Sequence, residues 1–132
     1  WVTLRSEADY LTNYVSLQRA RSNTNRSIRL NVEISDPDLL IPPLLFLAFV
    51  ENAFKFSNRD DKVASFVEIE LGQKDRSIVF TCRNSFDPEI ASGSGIGLTN
   101  VKRRLDLIYP GKYDLQLQKD KDIYLVILKL TL

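Results

Sequence analysis

The stretch FLAFVENAFKFSNRDD, from Phe46 to Asp61, is apolar on every side through its first half and reads as a helix buried in a core. Glu51, Asn52 and Lys55 nevertheless fall inside it. On a helix, residues three and four apart share a face, so Lys55 lines up with both Asn52 and Glu51. The plainer reading is an exposed Glu51–Lys55 pair where the helix surfaces, with Asn52 solvated. The sharper reading is the wall of a cavity. Asn52 would offer a neutral oxygen to a hard cation, Glu51 would orient water, and Lys55 would face phosphate oxygens.

The rest of the composition narrows the choice. A chain of 132 residues with 44% apolar and 27% charged side chains fits one domain with a real core. A formal net charge of +1 gives no reason to expect nucleic acid or a membrane surface as partner. Glu51, Lys55 and the prolines interrupt the longest apolar run, which is too short to span a bilayer. The single cysteine, Cys82, has no partner for an internal disulfide, which suits a reducing compartment. It reads as a small buried apolar residue. The absence of histidine removes His-ligated metal sites, Ser-His-Asp triads and imidazole acid/base chemistry from this chain. Trp1 opens abruptly on a helical pattern, as expected of a piece of something longer, and no signal-peptide pattern is visible.

Around the opening stretch, apolar positions at Leu4, Ala8, Leu11 and Val15 predict a helix to about Arg21. Alternation over Ile28–Ile34 predicts a half-buried strand. Ile41-Pro42-Pro43 is expected to open the central helix, which runs to about Ser57. Strands are expected over Phe66–Leu71 and Ile78–Cys82, joined as a hairpin at GQKDRS. A helix is expected over Leu98–Tyr109, then strands over Tyr113–Leu117 and Ile123–Leu132. This order predicts an α+β fold: a two-layer sandwich with helices on one face of a mixed, mainly antiparallel sheet.

A second stretch bears on the first. SGSGIGL, Ser92 to Leu98, spaces Gly93, Gly95 and Gly97 two apart, immediately before the predicted helix. Glycines let a backbone wrap closely round an anion, and a helix N-terminus adds free N–H groups and a favourable dipole. Alone, such a loop is weak; it is neither a Walker loop nor a Rossmann turn. Lys102, Arg103 and Arg104 read as a solvated basic face on the helix that follows.

Taken together, FVENAFKFS resembles the N box of the GHKL ATPases, the superfamily of gyrase-type ATPases, mismatch-repair ATPases and histidine kinases. GSGIGLTNVKRRLDLIYPGKY resembles the G2 box and following helix of one branch, the LytS-like sensor histidine kinases. YLTNYVSLQRAR and IPPLLFLAFVENAFK resemble the same branch in order and spacing, so the likeness covers nearly the whole chain.

That resemblance implies a Bergerat fold holding ATP and Mg²⁺. Asn52 would coordinate the Mg²⁺ and Lys55 would neutralise phosphate charge. Glu51 would orient water or the metal shell. Gly93, Gly95, Gly97 and the helix start at Leu98 would cradle the phosphates, with residues between Ser85 and Ile96 as a lid. It implies residues 1–21 as the end of a dimerisation helix region and 22–132 as the ATP-binding domain. The Leu4/Ala8/Leu11/Val15 stripe would pack in a helical dimer or against the sandwich. The expected partners are an upstream phosphoacceptor histidine, a response regulator and, in the full-length protein, a second copy. The expected place is the cytoplasmic side of a membrane-anchored bacterial sensor.

The sequence departs from the family at one point. Relatives end the strand before the lid with an aspartate that accepts the adenine amino proton, followed by glycines. Here the alternation Phe80, Cys82, Asn84 puts Asn84 there, with Phe86 and Pro88 in place of glycines. An amide oxygen can accept the same proton without charge, at an affinity loss of roughly tenfold. Asn84 equally suits a plain strand end. The departure raises the alternative of a degenerate, nucleotide-sensing module of the same fold. An ATP-hydrolysing machine of the gyrase or chaperone kind is a further alternative, one that needs additional domains.

Overall fold

The computed structural model describes residues 1–22, 26–57, 64–86 and 96–132, the side chains of 96 and 97 excepted. The chain begins with a short strand β1 (Val2–Thr3) and helix α1 (Leu4–Arg21). Thr3 caps the helix by accepting from the Ser6 N–H, and the Leu4 and Arg5 N–H groups donate to the Leu39 and Pro37 carbonyls. Strands β2 (Arg26–Ile34) and β3 (Leu40–Ile41) follow, then helix α2 (Leu47–Phe56). A hairpin of β4 (Ser65–Lys74) and β5 (Ser77–Ser85) leads to helix α3 (Ile96–Ile108) and a last hairpin, β6 (Tyr113–Lys119) and β7 (Ile123–Thr131).

The main sheet has five strands in the order β2-β4-β5-β7-β6. Only β2 and β4 run parallel, the connection between them passing through α2; the other neighbours are antiparallel. One face is apolar. Val67, Ile69 and Leu71 of β4, Ile78, Phe80 and Cys82 of β5, and Val126, Leu128 and Leu130 of β7 are all buried. Alternate residues such as Glu70, Val79 and Lys129 are exposed. Leu4, Ala8, Leu11 and Val15 of α1, Phe49, Val50 and Ala53 of α2, and Leu105 of α3 join the same core. This is the expected α+β sandwich, and α1 packs its stripe against it, the second of the two placements open to that stripe.

The central helix corrects the sequence expectation. It starts at Leu47, six residues after Ile41. Ile41 instead pairs with Val2 in a small second sheet. Residues preceding a proline are driven away from helical angles, which affects Ile41 and Pro42. Leu44 then turns left-handed at φ 59°. The Glu7 carboxylate, only 4% exposed, accepts the Leu44 N–H at 2.8 Å and holds that turn. Glu7 gave no sequence signal because it falls on the edge of the apolar stripe. The β4–β5 hairpin is longer than expected and turns at Asp75–Arg76, where Asp75 adopts φ 54°. Asp is among the few residues that tolerate this conformation. The third helix begins at Ile96, so Gly97 lies inside its first turn rather than before it.

Two expectations follow. Glu7→Ala leaves the Leu44 N–H without its acceptor and lowers the unfolding free energy by about 1–3 kcal/mol, while Glu7→Gln keeps an oxygen there and loses less; denaturant titration of the two variants measures the difference. Burial pushes the Cys82 thiol up to about 12. In the native state it resists thiol reagents at pH 8 and reacts on unfolding. Because the folded value lies above the unfolded one, its contribution to stability is lost as pH rises from 9.0 towards about 12. Timed labelling with a chromogenic disulfide, with and without urea, tests the shielding.

Candidate functional site

The position of every candidate side chain follows from how α2 lies on the sheet. Phe46 stacks on Phe80 with ring centroids 4.9 Å apart, and Phe49 meets the same ring at 5.8 Å. The Cys82 thiol, two residues further along β5, donates to the Phe49 carbonyl at 3.9 Å. Helix and strand therefore advance together, and the second half of α2 reaches the end of β5 that carries Asn84.

Helix α3 runs the other way. Arg104, two turns into it, donates to the Pro43 carbonyl at 2.6 Å, just ahead of α2. Tyr109, past its end, packs edge-on against Trp1 at 6.4 Å, beside the β1–β3 pair. With its far end anchored there, α3 points its N-terminus back towards the end of the sandwich where Asn52 and Lys55 stand. The free N–H groups of that first turn include those at Ile96, Gly97 and Leu98. Gly93 and Gly95, and all of the expected lid between Ser85 and Ile96 except Phe86, lie outside the described residues.

Asn84 is 1% exposed and faces the helices. Its amide Nδ2 donates to the Ser85 carbonyl at 2.7 Å. That orientation leaves Oδ1 as the acceptor side of the group, the polarity needed to receive an exocyclic amine. Opposite it across the ladder stand Val67 on β4 and Tyr124 on β7.

On the other flank, α1 and α2 enclose a cleft of about 650 Å³ lined by Tyr14, Gln18, Arg21, Glu51, Asn52 and Lys55, among others. Glu51 and Asn52, adjacent in sequence, point about 100° apart on the helix. Glu51 shares its side with Phe54, whose ring meets Tyr14 at 5.9 Å. Burial and then the Glu51 charge push the Tyr14 phenol above its ordinary value, with Arg21 opposing. Lys55 is exposed and holds its ammonium over the Phe56 ring at 5.3 Å. No Glu51–Lys55 ion pair is formed among the described residues, so the plainer sequence reading of this pair is not what the side chains do.

Arg26 was missed by sequence reasoning. Its guanidinium donates to the Phe54 carbonyl at 3.1 Å and to the Ser57 hydroxyl, and lies over the Phe54 ring. It thus satisfies carbonyl and hydroxyl groups at the C-terminal end of α2, the end that carries Lys55. Its only sequence signal is a position just ahead of a strand, which says nothing about a helix 28 residues away. Of the basic residues on α3, Lys102 and Arg103 are solvated as expected, while Arg104 ties the helix to the turn before α2.

The chain is 30% identical over 132 aligned residues to the sensor histidine kinase/phosphatase LytS of Staphylococcus aureus (strain Mu50), an alignment covering 89% of this chain and 23% of that protein. It is 24% identical over 127 residues to the sensor histidine kinase YesM of Bacillus subtilis (strain 168), covering 92% of this chain and 22% of that one. The chain thus spans less than a quarter of the length of these relatives. No protein-family model matches it. Among solved structures, the nucleotide-free catalytic domain of histidine kinase ThkA superposes with a TM-score of 0.63 at 11% identity, covering 98% of this chain and 92% of that one. The mycobacterial sensor histidine kinase MprB gives 0.65 at 18% identity, with 98% and 95% coverage. At such identities the structural likeness is one of fold alone: the chain has the histidine kinase catalytic-domain fold, and its sequence is LytS-like over 89% of its length.

Proposed function

We propose that this domain binds ATP with Mg²⁺ and supplies the γ-phosphoryl group to a histidine outside the chain, as the catalytic domain of a two-component sensor histidine kinase. The proposal is supported by the run of α2, β5 and α3, by which Asn52 and Lys55, Asn84 and the N-terminus of α3 fall towards one end of the sandwich. A nucleotide needs those groups in that relation: an acceptor for the base, donors and cations for the phosphates, and a hard oxygen for the metal.

Asn52, half-buried and presenting a neutral amide, suits Mg²⁺ that keeps most of its shell from phosphate oxygens and water. Held there, Mg²⁺ would supply charge neutralisation to the phosphate oxygens. Lys55 adds a mobile ammonium on the same side. Gly97, Leu98 and the first N–H groups of α3 attract anionic oxygens through unsatisfied donors and the helix dipole. Gly93 and Gly95 would extend that cradle. Glu51, on the α1 side of α2, orients water or the metal shell from the cleft. Asn84 accepts the adenine amine through Oδ1. Phosphoryl transfer asks mainly for positioning and charge neutralisation, which these groups supply without a nucleophile of their own.

The chain has no histidine, so the acceptor imidazole belongs to a dimerisation helix in the rest of the protein. Residues 1–21 form the end of that region, docked on the 22–132 domain, and a homodimer brings the two together. The phosphoryl group passes on to a response regulator. Among the described residues no helix is long and apolar enough to cross a membrane. A cytoplasmic position in a membrane-anchored sensor follows from the same proposal. The degenerate-module alternative is not favoured: the relatives bear the names of sensor kinases, and the Asn84 amide is turned with its acceptor available.

Calorimetric titration with a non-hydrolysable ATP analogue should give saturable, Mg²⁺-dependent binding, weakened tenfold or more by Asn52→Ala. No binding at millimolar nucleotide would sink the proposal. Mixed with ATP and a separately expressed dimerisation segment carrying its histidine, the domain should form an acid-labile phosphohistidine on that segment. Alone, it should incorporate no acid-labile phosphate.

A further inference from the structure

At the Asn84 end of the sheet, the helix-facing side carries a row of side chains fixed by strand register. Val67, Asn84, Tyr124 and Lys119 stand opposite one another across β4, β5, β7 and β6. Directly opposed antiparallel residues have Cβ atoms about 4.5–5.5 Å apart, so Tyr124 is the immediate neighbour of Asn84. Tyr124 continues the inward set Val126, Leu128 and Leu130, but unlike them it is only half-buried. Beside it, Phe86 lies nearly parallel to its ring, with centroids 6.1 Å apart and planes at 23°. Phe86 is half-buried as well, and its backbone N–H donates to the Asp122 carbonyl at 2.8 Å. That bond ties it to the β6–β7 turn and fixes its place. The Lys119 ammonium caps the Phe86 ring at 5.2 Å.

Two half-buried aromatic rings next to a buried amide acceptor offer a flat apolar surface on which a further flat group can stack. They flank Asn84, the position that the resemblance matches to the family's aspartate. We infer that Tyr124 and Phe86 form an aromatic platform that selects and holds the nucleobase by stacking, beside the Asn84 acceptor. The inference rests on the nucleotide reading above and deepens it. Stacking on the π-face tolerates any purine, whereas Asn84 Oδ1 accepts from the 6-amino group of adenine and faces an oxygen in guanine. The platform therefore gives strength, and Asn84 gives the preference for adenine.

Base–aromatic stacking is worth about 1–3 kcal/mol per base, which is roughly a five- to 150-fold change in affinity. The test is titration of the chain with Mg²⁺ and ATP, GTP or inorganic tripolyphosphate. Tyr124→Leu and Phe86→Leu should weaken ATP tenfold or more and leave tripolyphosphate unchanged; Tyr124→Phe should keep ATP affinity. Equal loss for ATP and tripolyphosphate would assign the pair a packing role only, and unchanged ATP affinity would overturn the platform outright. Should the leucine variants fail to fold, nuclear Overhauser contacts in the wild-type chain between adenine H2 or H8 and the Tyr124 ring decide: their presence supports the platform and their absence, with ATP bound, rejects it. Failure of the wild type to bind either ATP or tripolyphosphate would instead remove the nucleotide reading itself.

Discussion

The stacking of Phe46 and Phe49 on Phe80 determines where everything polar in this domain ends up. Large aromatic side chains bury much area and prefer defined ring geometries, so three of them in contact fix both the height and the direction of a helix over a sheet. With that contact made, α2 has no freedom to slide. A shift of one turn would move Asn52 and Lys55 about 5.4 Å along the helix axis, away from Asn84. The turn before α2 works to the same end. Glu7, Leu44 and the two prolines delay the start of the helix until Leu47, so that its first apolar residues meet the strand in register.

A buried helix with a polar second half then becomes understandable in energetic terms. Val50 and Ala53 are buried towards the sheet and Phe54 against Tyr14 of α1, whereas Glu51, Asn52 and Lys55 rim the open side. The helix sits at the edge of a cavity rather than in the middle of a core. Its C-terminal carbonyls would otherwise be left to water in that cavity, and Arg26 answers them from β2. A cation at this end complements the helix dipole and adds positive potential beside Lys55.

Much of this was legible in the residues, and the failures have physical causes. Period and alternation placed α1 from Leu4 to about Arg21, as found, because its apolar stripe is long and a turn-prone polar run follows it. They placed the five strands of the main sheet too, most of them one to three residues short at an end and β7 one residue long, since hydrogen bonding continues past the last apolar side chain; they gave no sign of β1 and β3. The start of α2 was misjudged because Pro42 and Pro43 fit a first helical turn as well as the extended segment they form. What decides between the two is Glu7, a tertiary partner 37 residues away. On the site, the N-box residues announce themselves as polar groups in an apolar helix. Tyr124 and Arg26 do not. An aromatic in a strand and an arginine before one are ordinary until the register sets them against Asn84 and the end of α2.

On the proposed nucleotide reading, the exchange of a carboxylate for an amide at Asn84 need not be decay of the site. A carboxylate 1% exposed, beside the Ser85 carbonyl and with no cation within the same strand row closer than Lys119, would carry a large desolvation penalty whenever the base is absent. The amide is neutral and donates to that carbonyl, so it avoids the cost of a buried charge. The binding strength lost with the charge must then come from a source that does not tax the empty state. Aromatic rings meet that condition, because a stacked pair loses little by standing partly exposed and gains on contact with a third flat surface. On this argument the change at Asn84 and the aromatic at Phe86, two residues apart in sequence and both departures from the family, are one adjustment rather than two.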